Sequence, residues 1–213
     1  MNASSSLTDD LASQLQGAPL QQIAQQLGVD PSQANAAVGA ALPLLMGALG
    51  RNASQPQGAQ ALFGALQKDH AGLDLGSVLG SVLGGGGQGE RILGHVLGDR
   101  EPRAEQALGQ ATGLGGDKAN MLLRWLAPIV MAYLAKRMFD QRQGTTEVAG
   151  NDAASSPQAL GDILGQERQR IGEQGGLGGG MMSAVLDQDA DGDVDLSDLM
   201  RVGQSLLGNL PRA

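Results

Sequence analysis

Only four aromatic side chains, Phe63, Trp125, Tyr133 and Phe139, occur in this chain of 213 residues. A sheet of ordinary size leans on aromatic and β-branched residues to cover its faces. Here the apolar content comes instead from Leu, Ala, Val and Met; β-branched and aromatic residues are sparse, and Leu, Ala and Met suit helices better. The 34 glycines are more than twice the usual share of about 7%, and many fall between apolar stretches, where they end helices. These features predict an all-α fold, a bundle of short helices with close backbone packing and Gly-rich linkers.

Local signals place the helices. Ser6, with Asp9 three residues on, marks the start of a first helix carrying Leu7, Leu11 and Leu15. A second is expected from Pro19 to Leu27. In Asp30-Pro31-Ser32-Gln33, Asp30 can cap a third helix, Pro31 suits its first position, and Gln33 can reach back to close a capping box. That helix should reach Leu49 and bend at Pro43, which removes an internal hydrogen bond. Further helices are expected over 57–67, 74–83, 90–97, 103–110 and 117–139, with a short, weak one over 158–172. Gly84–Gly87 and Gly175–Gly180 read as breakers. The domain reading is 1–141 as a helical domain, 142–180 as a flexible Gly/Ser/Gln-rich linker with the weak helix, and 181–213 as a separate acidic segment.

Residues 28–49 align without gaps to 113–134, at an offset of 85. Gly28 and Gly113, Ala34-Asn35 and Ala119-Asn120, Pro43 and Pro128, Met46 and Met131, and Leu49 and Leu134 fall in register. The pattern predicts an internal duplication: two glycine-started, proline-bent helices packed as equivalent elements of one core. Leu126–Leu134 is expected in that core rather than at a dimer seam.

The phrase Gly89-Glu-Arg-Ile-Leu-Gly-His-Val-Leu-Gly98, followed by Thr112-Gly-Leu and Leu126-Ala-Pro-Ile-Val-Met131, resembles the bacterial DUF937 family, the YidB-like group. The resemblance covers roughly residues 10–140. It implies a helical fold and a bacterial origin, and some members carry an Asp-rich tail. It brings no reaction, substrate or catalytic residue.

The formal charge of -8 argues against nonspecific association with nucleic acid or anionic membranes. The bases are scattered, with one small cluster at Arg168 and Arg170 beside Glu167. With no cysteine, disulfides, thiolate catalysis and Cys-ligated zinc are excluded. No serine stands in a nucleophile-elbow context, and Gly84–Gly89 lacks the Lys-Ser/Thr of a phosphate loop. His70, beside Asp69, carries little information, and His95 reads as a half-buried helix residue. An enzyme is not expected. The start lacks the basic and apolar regions of a signal peptide, and the most apolar stretch, Leu126–Ala135, is too short to span a bilayer, so the expected location is the cytoplasm.

The strongest chemical signal is Asp187-Gln-Asp-Ala-Asp-Gly-Asp-Val-Asp-Leu-Ser-Asp198. Calcium takes about six to eight oxygens, and an EF-hand loop supplies them from positions 1, 3, 5, 7, 9 and 12. Asp187, Asp189, Asp191, Asp193, Asp195 and Asp198 fill those positions, and Gly192 stands at the sharp turn. Asp198 replaces the usual glutamate, as in dockerin loops, though only one loop is present here. So many carboxylates without a base repel one another unless a cation intervenes. One bound divalent ion, Ca²⁺ by preference, is expected.

A helix-turn-helix reading of Ile23–Val38 is the alternative, with Gln33 and Asn35 at base edges. Residues 19–50 contain no Arg or Lys to hold phosphates. The sequence therefore points to a non-enzymatic helical interaction or structural protein that binds one divalent cation at its C-terminus. Its partner is an unknown protein or a second copy.

Overall fold

The computed structural model describes residues 6–70, 75–84, 88–139 and 156–174. All of the regular structure among them is helical. In chain order the helices are α1 (Leu7–Leu15), α2 (Ala18–Leu27), α3 (Pro31–Ala53), α4 (Pro56–Ala65), α5 (Leu75–Leu83), α6 (Gln88–Leu97), α7 (Glu101–Thr112), α8 (Gly116–Phe139) and α9 (Pro157–Gln174). A π-helical turn, Leu66–His70, follows α4, and a 3-10 turn, Gly98–Arg100, joins α6 to α7.

The two longest helices, α3 and α8, lie against each other at the centre, and the others pack around them. Their cores are matched in burial. Ala34, Ala37, Val38, Ala41, Leu45, Met46 and Leu49 on α3, and Ala119, Leu122, Leu123, Leu126, Val130, Met131 and Leu134 on α8, are all buried. Leu126–Leu134 is therefore core, as expected. α3 is long and apolar enough to cross a membrane, but two-thirds of its most apolar window is buried inside the bundle. Its hydrophobicity is that of a helix surrounded by other helices, and the described residues form no multi-span arrangement.

Both long helices follow a glycine in the left-handed region, Gly28 at φ 61° and Gly113 at φ 69°, where a side chain would be strained. Each then contacts the turn that leads into the other. Gln33 Nε2 donates to the Thr112 carbonyl at 3.2 Å, and Lys118 Nζ donates to the Gly28 carbonyl at 3.2 Å. Two carbonyls at helix C-termini thereby gain partners.

Both helices also run unbroken through a proline, Pro43 and Pro128. Each proline lacks an N–H, which leaves the carbonyl four residues earlier without its helical donor. For Pro43 that carbonyl belongs to Gly39, which faces solvent. For Pro128 it belongs to Arg124, and α6 lies on top of it, so close that a Cβ built at Gly89 would overlap that oxygen.

Several helix starts follow the local signals. Ser6 Oγ accepts the Asp9 amide at 3.0 Å, so the first cap is as expected. The third is not. Asp30 precedes α3 in extended conformation but makes no side-chain cap bond, and Gln33 has turned away to Thr112. α3 also continues past Leu49 to Ala53. The helix expected over 158–172 is α9, longer than anticipated and docked on the body. Gly85–Gly87 and Gly175–Gly180 lie outside the described residues.

Candidate interaction surface

α9 presents Leu160, Leu164, Glu167 and Ile171 inward, and all four are buried. Their spacing of four, three and four residues is that of one helical stripe. The stripe lies along α3 and α4. Contact is at backbone distance: a Cβ at Gly50 would meet the Leu164 carbonyl at 3.0 Å, and one at Gly161 would meet the Ala53 carbonyl at 3.2 Å.

Glu167 is 2% exposed, a position that costs a carboxylate dearly unless hydrogen bonds replace water. Its Oε1 accepts the Thr8 backbone N–H at 2.9 Å and the Thr8 hydroxyl at 2.7 Å. Thr8 is in the first turn of α1, where backbone N–H groups have no helical partner and the helix dipole favours negative charge. The carboxylate is thus a cap delivered from the far end of the chain. The sequence signal for it was the apolar spacing around Glu167. The adjacent Arg168 and Arg170 face solvent, on the side of the helix away from this contact.

α1 is held to α8 by a second polar group. The Tyr133 hydroxyl faces Asp10 Oδ2 at 3.5 Å, and Arg137 Nη1 is 3.6 Å from the same oxygen. Burial, reinforced by the Asp10 charge and partly offset by Arg137, pushes the Tyr133 phenol up to about 12.

α6 explains the residues that carry the family resemblance. Gly89 permits the contact with the Arg124 carbonyl, and Glu90 Oε1 pairs with Arg124 Nη2 at 3.4 Å. Leu93, Val96 and Leu97 are buried, and Gly98 turns the chain at φ 54°. Asn52 Nδ2 donates to the His95 and Val96 carbonyls at 3.2 and 3.0 Å, closing the end of α6. Beside it is an opening of about 440 Å³ lined by Leu49, Leu62, Ile92, Val96 and Met131, with His95 and Asn52 its polar groups. His95 is exposed rather than half-buried, because α6 turns Leu93 and Val96 inward instead.

Near Arg124, burial and the neighbouring Glu105 raise the Glu101 pKa, with Arg124 partly offsetting them. Among the described residues, no group of three His, Asp or Glu side chains is placed to hold a metal ion. Asp187, Asp189, Asp191, Asp193, Asp195 and Asp198 lie outside those residues. Of the two residues expected at base edges, Asn35 is exposed, whereas Gln33 is committed to Thr112.

Comparison with known proteins matches residues 9–137 to the model of one family, described as a bacterial protein of unknown function (DUF937). No curated protein and no solved structure matches. The matched segment runs from α1 to the end of α8, so α9 is a further helix seated on the family body. The chain belongs to the DUF937 family.

Proposed function

We propose that this protein is a non-enzymatic helical interaction module with a C-terminal site for one divalent cation, Ca²⁺ by preference. The observation that carries the interaction reading is the seat of α9. A helix outside the matched family segment is received by α1, α3 and α4 through a buried stripe and a specific carboxylate contact. Such a trough is built to recognise a helix. The cation reading rests on the order of residues 187–198, with Asp187, Asp189, Asp191, Asp193, Asp195 and Asp198 at oxygen-donor positions and Gly192 at the turn.

The internal duplication belongs to the same proposal. The long helices share left-handed glycines, interior prolines and reciprocal contacts from Gln33 and Lys118, which are themselves 85 positions apart. Two related helices packed about a local two-fold would produce such an exchange.

The first test is a calorimetric calcium titration of the full chain and of the Asp187→Ala/Asp191→Ala pair, with magnesium as competitor. One-site binding lost in the double variant supports the cation site. No heat and no thermal stabilisation at millimolar calcium removes it. The helix-turn-helix alternative has α2, Gly28 and α3 in its favour. It requires salt-dependent, sequence-specific retention on DNA in the same buffers.

A further inference from the structure

We propose that the trough formed by α1, α3 and α4 is an exchangeable helix-docking site, and that α9 of a second copy of this chain is its other occupant. Two copies would trade α9 and close as a reciprocal dimer. The inference deepens the interaction reading above and rests on it.

Three observations carry it. First, α9 is a weak helix by its own sequence. Gly161, Gly165 and Gly172 lie within its 18 residues. Only Gly161 is demanded by packing: a Cβ at Gly165 or Gly172 would meet nothing within 4 Å. Each interior glycine weakens a helix without contributing a contact, so α9 gains most of its order on docking.

Second, the seat recognises α9 by more than apolar surface. Glu167 must find a donor pair, and Thr8 supplies one. A bare apolar helix in the same trough would leave the first turn of α1 without that acceptor. The preferred occupant therefore bears Leu-x3-Leu-x2-Glu-x3-Ile. α9 of an identical chain satisfies that pattern.

Third, the connection reaches. Residues 140–155 join the end of α8 to α9, and Val148 is their only side chain larger than alanine among the apolar ones. Sixteen residues span up to roughly 50 Å when extended. The family body, from its length, has a radius of gyration of about 14 Å. α9 can thus cross to a neighbouring body without unfolding its own. Where two copies exchange reciprocally, both troughs of the pair are filled and the assembly closes as a two-fold dimer.

The chain's lack of cysteine makes the test direct. A Cβ at Gly50 would lie 3.5 Å from Cβ of Arg168, within disulfide reach. Gly50→Cys is placed on one full-length copy and Arg168→Cys on another, with distinguishable tags, and the mixture is oxidised after incubation. The proposal expects a disulfide-linked heterodimer that accumulates with concentration and incubation time. Gly165→Ala/Gly172→Ala in both copies should slow its formation by about two- to fivefold per substitution. Glu167→Ala should hasten it by about tenfold or more.

Both substitutions on one chain provide the internal comparison. Intrachain closure of that variant with no mixed heterodimer would overturn exchange while leaving the docked helix intact. Failure of both in variants that keep the wild-type unfolding midpoint would remove the seat itself, and with it the interaction reading. The thiol introduced by Gly50→Cys has to accommodate the Leu164 carbonyl, so exchange between isotopically light and heavy wild-type copies, read by native mass spectrometry, is the second measurement. Mixed-mass dimers whose formation is slowed by Gly165→Ala/Gly172→Ala support the proposal. Persistently unmixed monomers at all concentrations overturn it.

Discussion

Glu167 and Thr8 stand 159 positions apart in the chain, and one carboxylate oxygen receives both the amide and the hydroxyl of the threonine. Removing the carboxylate leaves buried donors without an acceptor. Glu167→Ala should lower the unfolding free energy by about 1–3 kcal/mol. Thr8→Val, which keeps the amide bond and loses only the hydroxyl, should cost less. Urea denaturation followed by circular dichroism orders the two variants, and an equal or smaller loss in Glu167→Ala would contradict the capping role.

Tyr133 is the only tyrosine, so its ionisation can be followed by absorbance without interference. Its folded pKa is raised to about 12, against 10.0 for a free phenol. The fold therefore favours the neutral form. That stabilisation is complete below pH ~10, where the unfolded phenol begins to ionise, and it is lost as pH rises through the folded value. The midpoint should fall towards 10 in urea. Asp10→Asn should lower it in the native state, since the Asp10 charge is one of its causes.

The glycines divide into two groups with opposite expected responses. Gly89→Ala drives a methyl into the Arg124 carbonyl, and Gly58→Ala drives one into the Asn52 carbonyl. Both obstacles are backbone, so helices must separate, and each variant should lose about 1–3 kcal/mol. Gly165→Ala and Gly172→Ala meet open space and should gain about 0.5–1 kcal/mol each. Thermal unfolding midpoints that fail to split in these directions would count against the helix packing described for α6 and α9.

Asn52→Ala removes the donor that closes the end of α6 at the His95 and Val96 carbonyls. The expected loss is about 0.5–1.5 kcal/mol. His95→Ala, at an exposed position near the same end, should change stability by less than about 0.5 kcal/mol. A reversed order would mean that His95 has a packing role its exposure conceals.

Much of the fold was legible because the chain writes its helices in local signals. Ser6 announces α1, Pro31 begins α3, and Gly28 and Gly113 mark the turns before the long helices. What local signals could not supply was the choice among competing partners. Gln33 was well placed to reach back to the start of its own helix, yet its amide serves Thr112, a carbonyl that another helix end brings within its reach. Glu167 looked like one charge among several. Its role depends on the position of α1, which only tertiary packing fixes. The apolar letters around His95 predict partial burial, whereas the turn of α6 commits those letters to the core and leaves the imidazole at the surface. The acidic segment was the most readable chemistry in the sequence, and its test is the calcium titration.

Pro128 leaves one carbonyl of α8 without its helical donor, and α6 covers that carbonyl with the bare backbone of Gly89. A break in one helix is therefore shielded from water only while its neighbour stays in place. Amide protons on the inner sides of α6 and α8 should then exchange with deuterium as a single cooperative unit, at matching opening free energies. The turn of α8 at Pro128 would then be exposed only by the same event that releases α6.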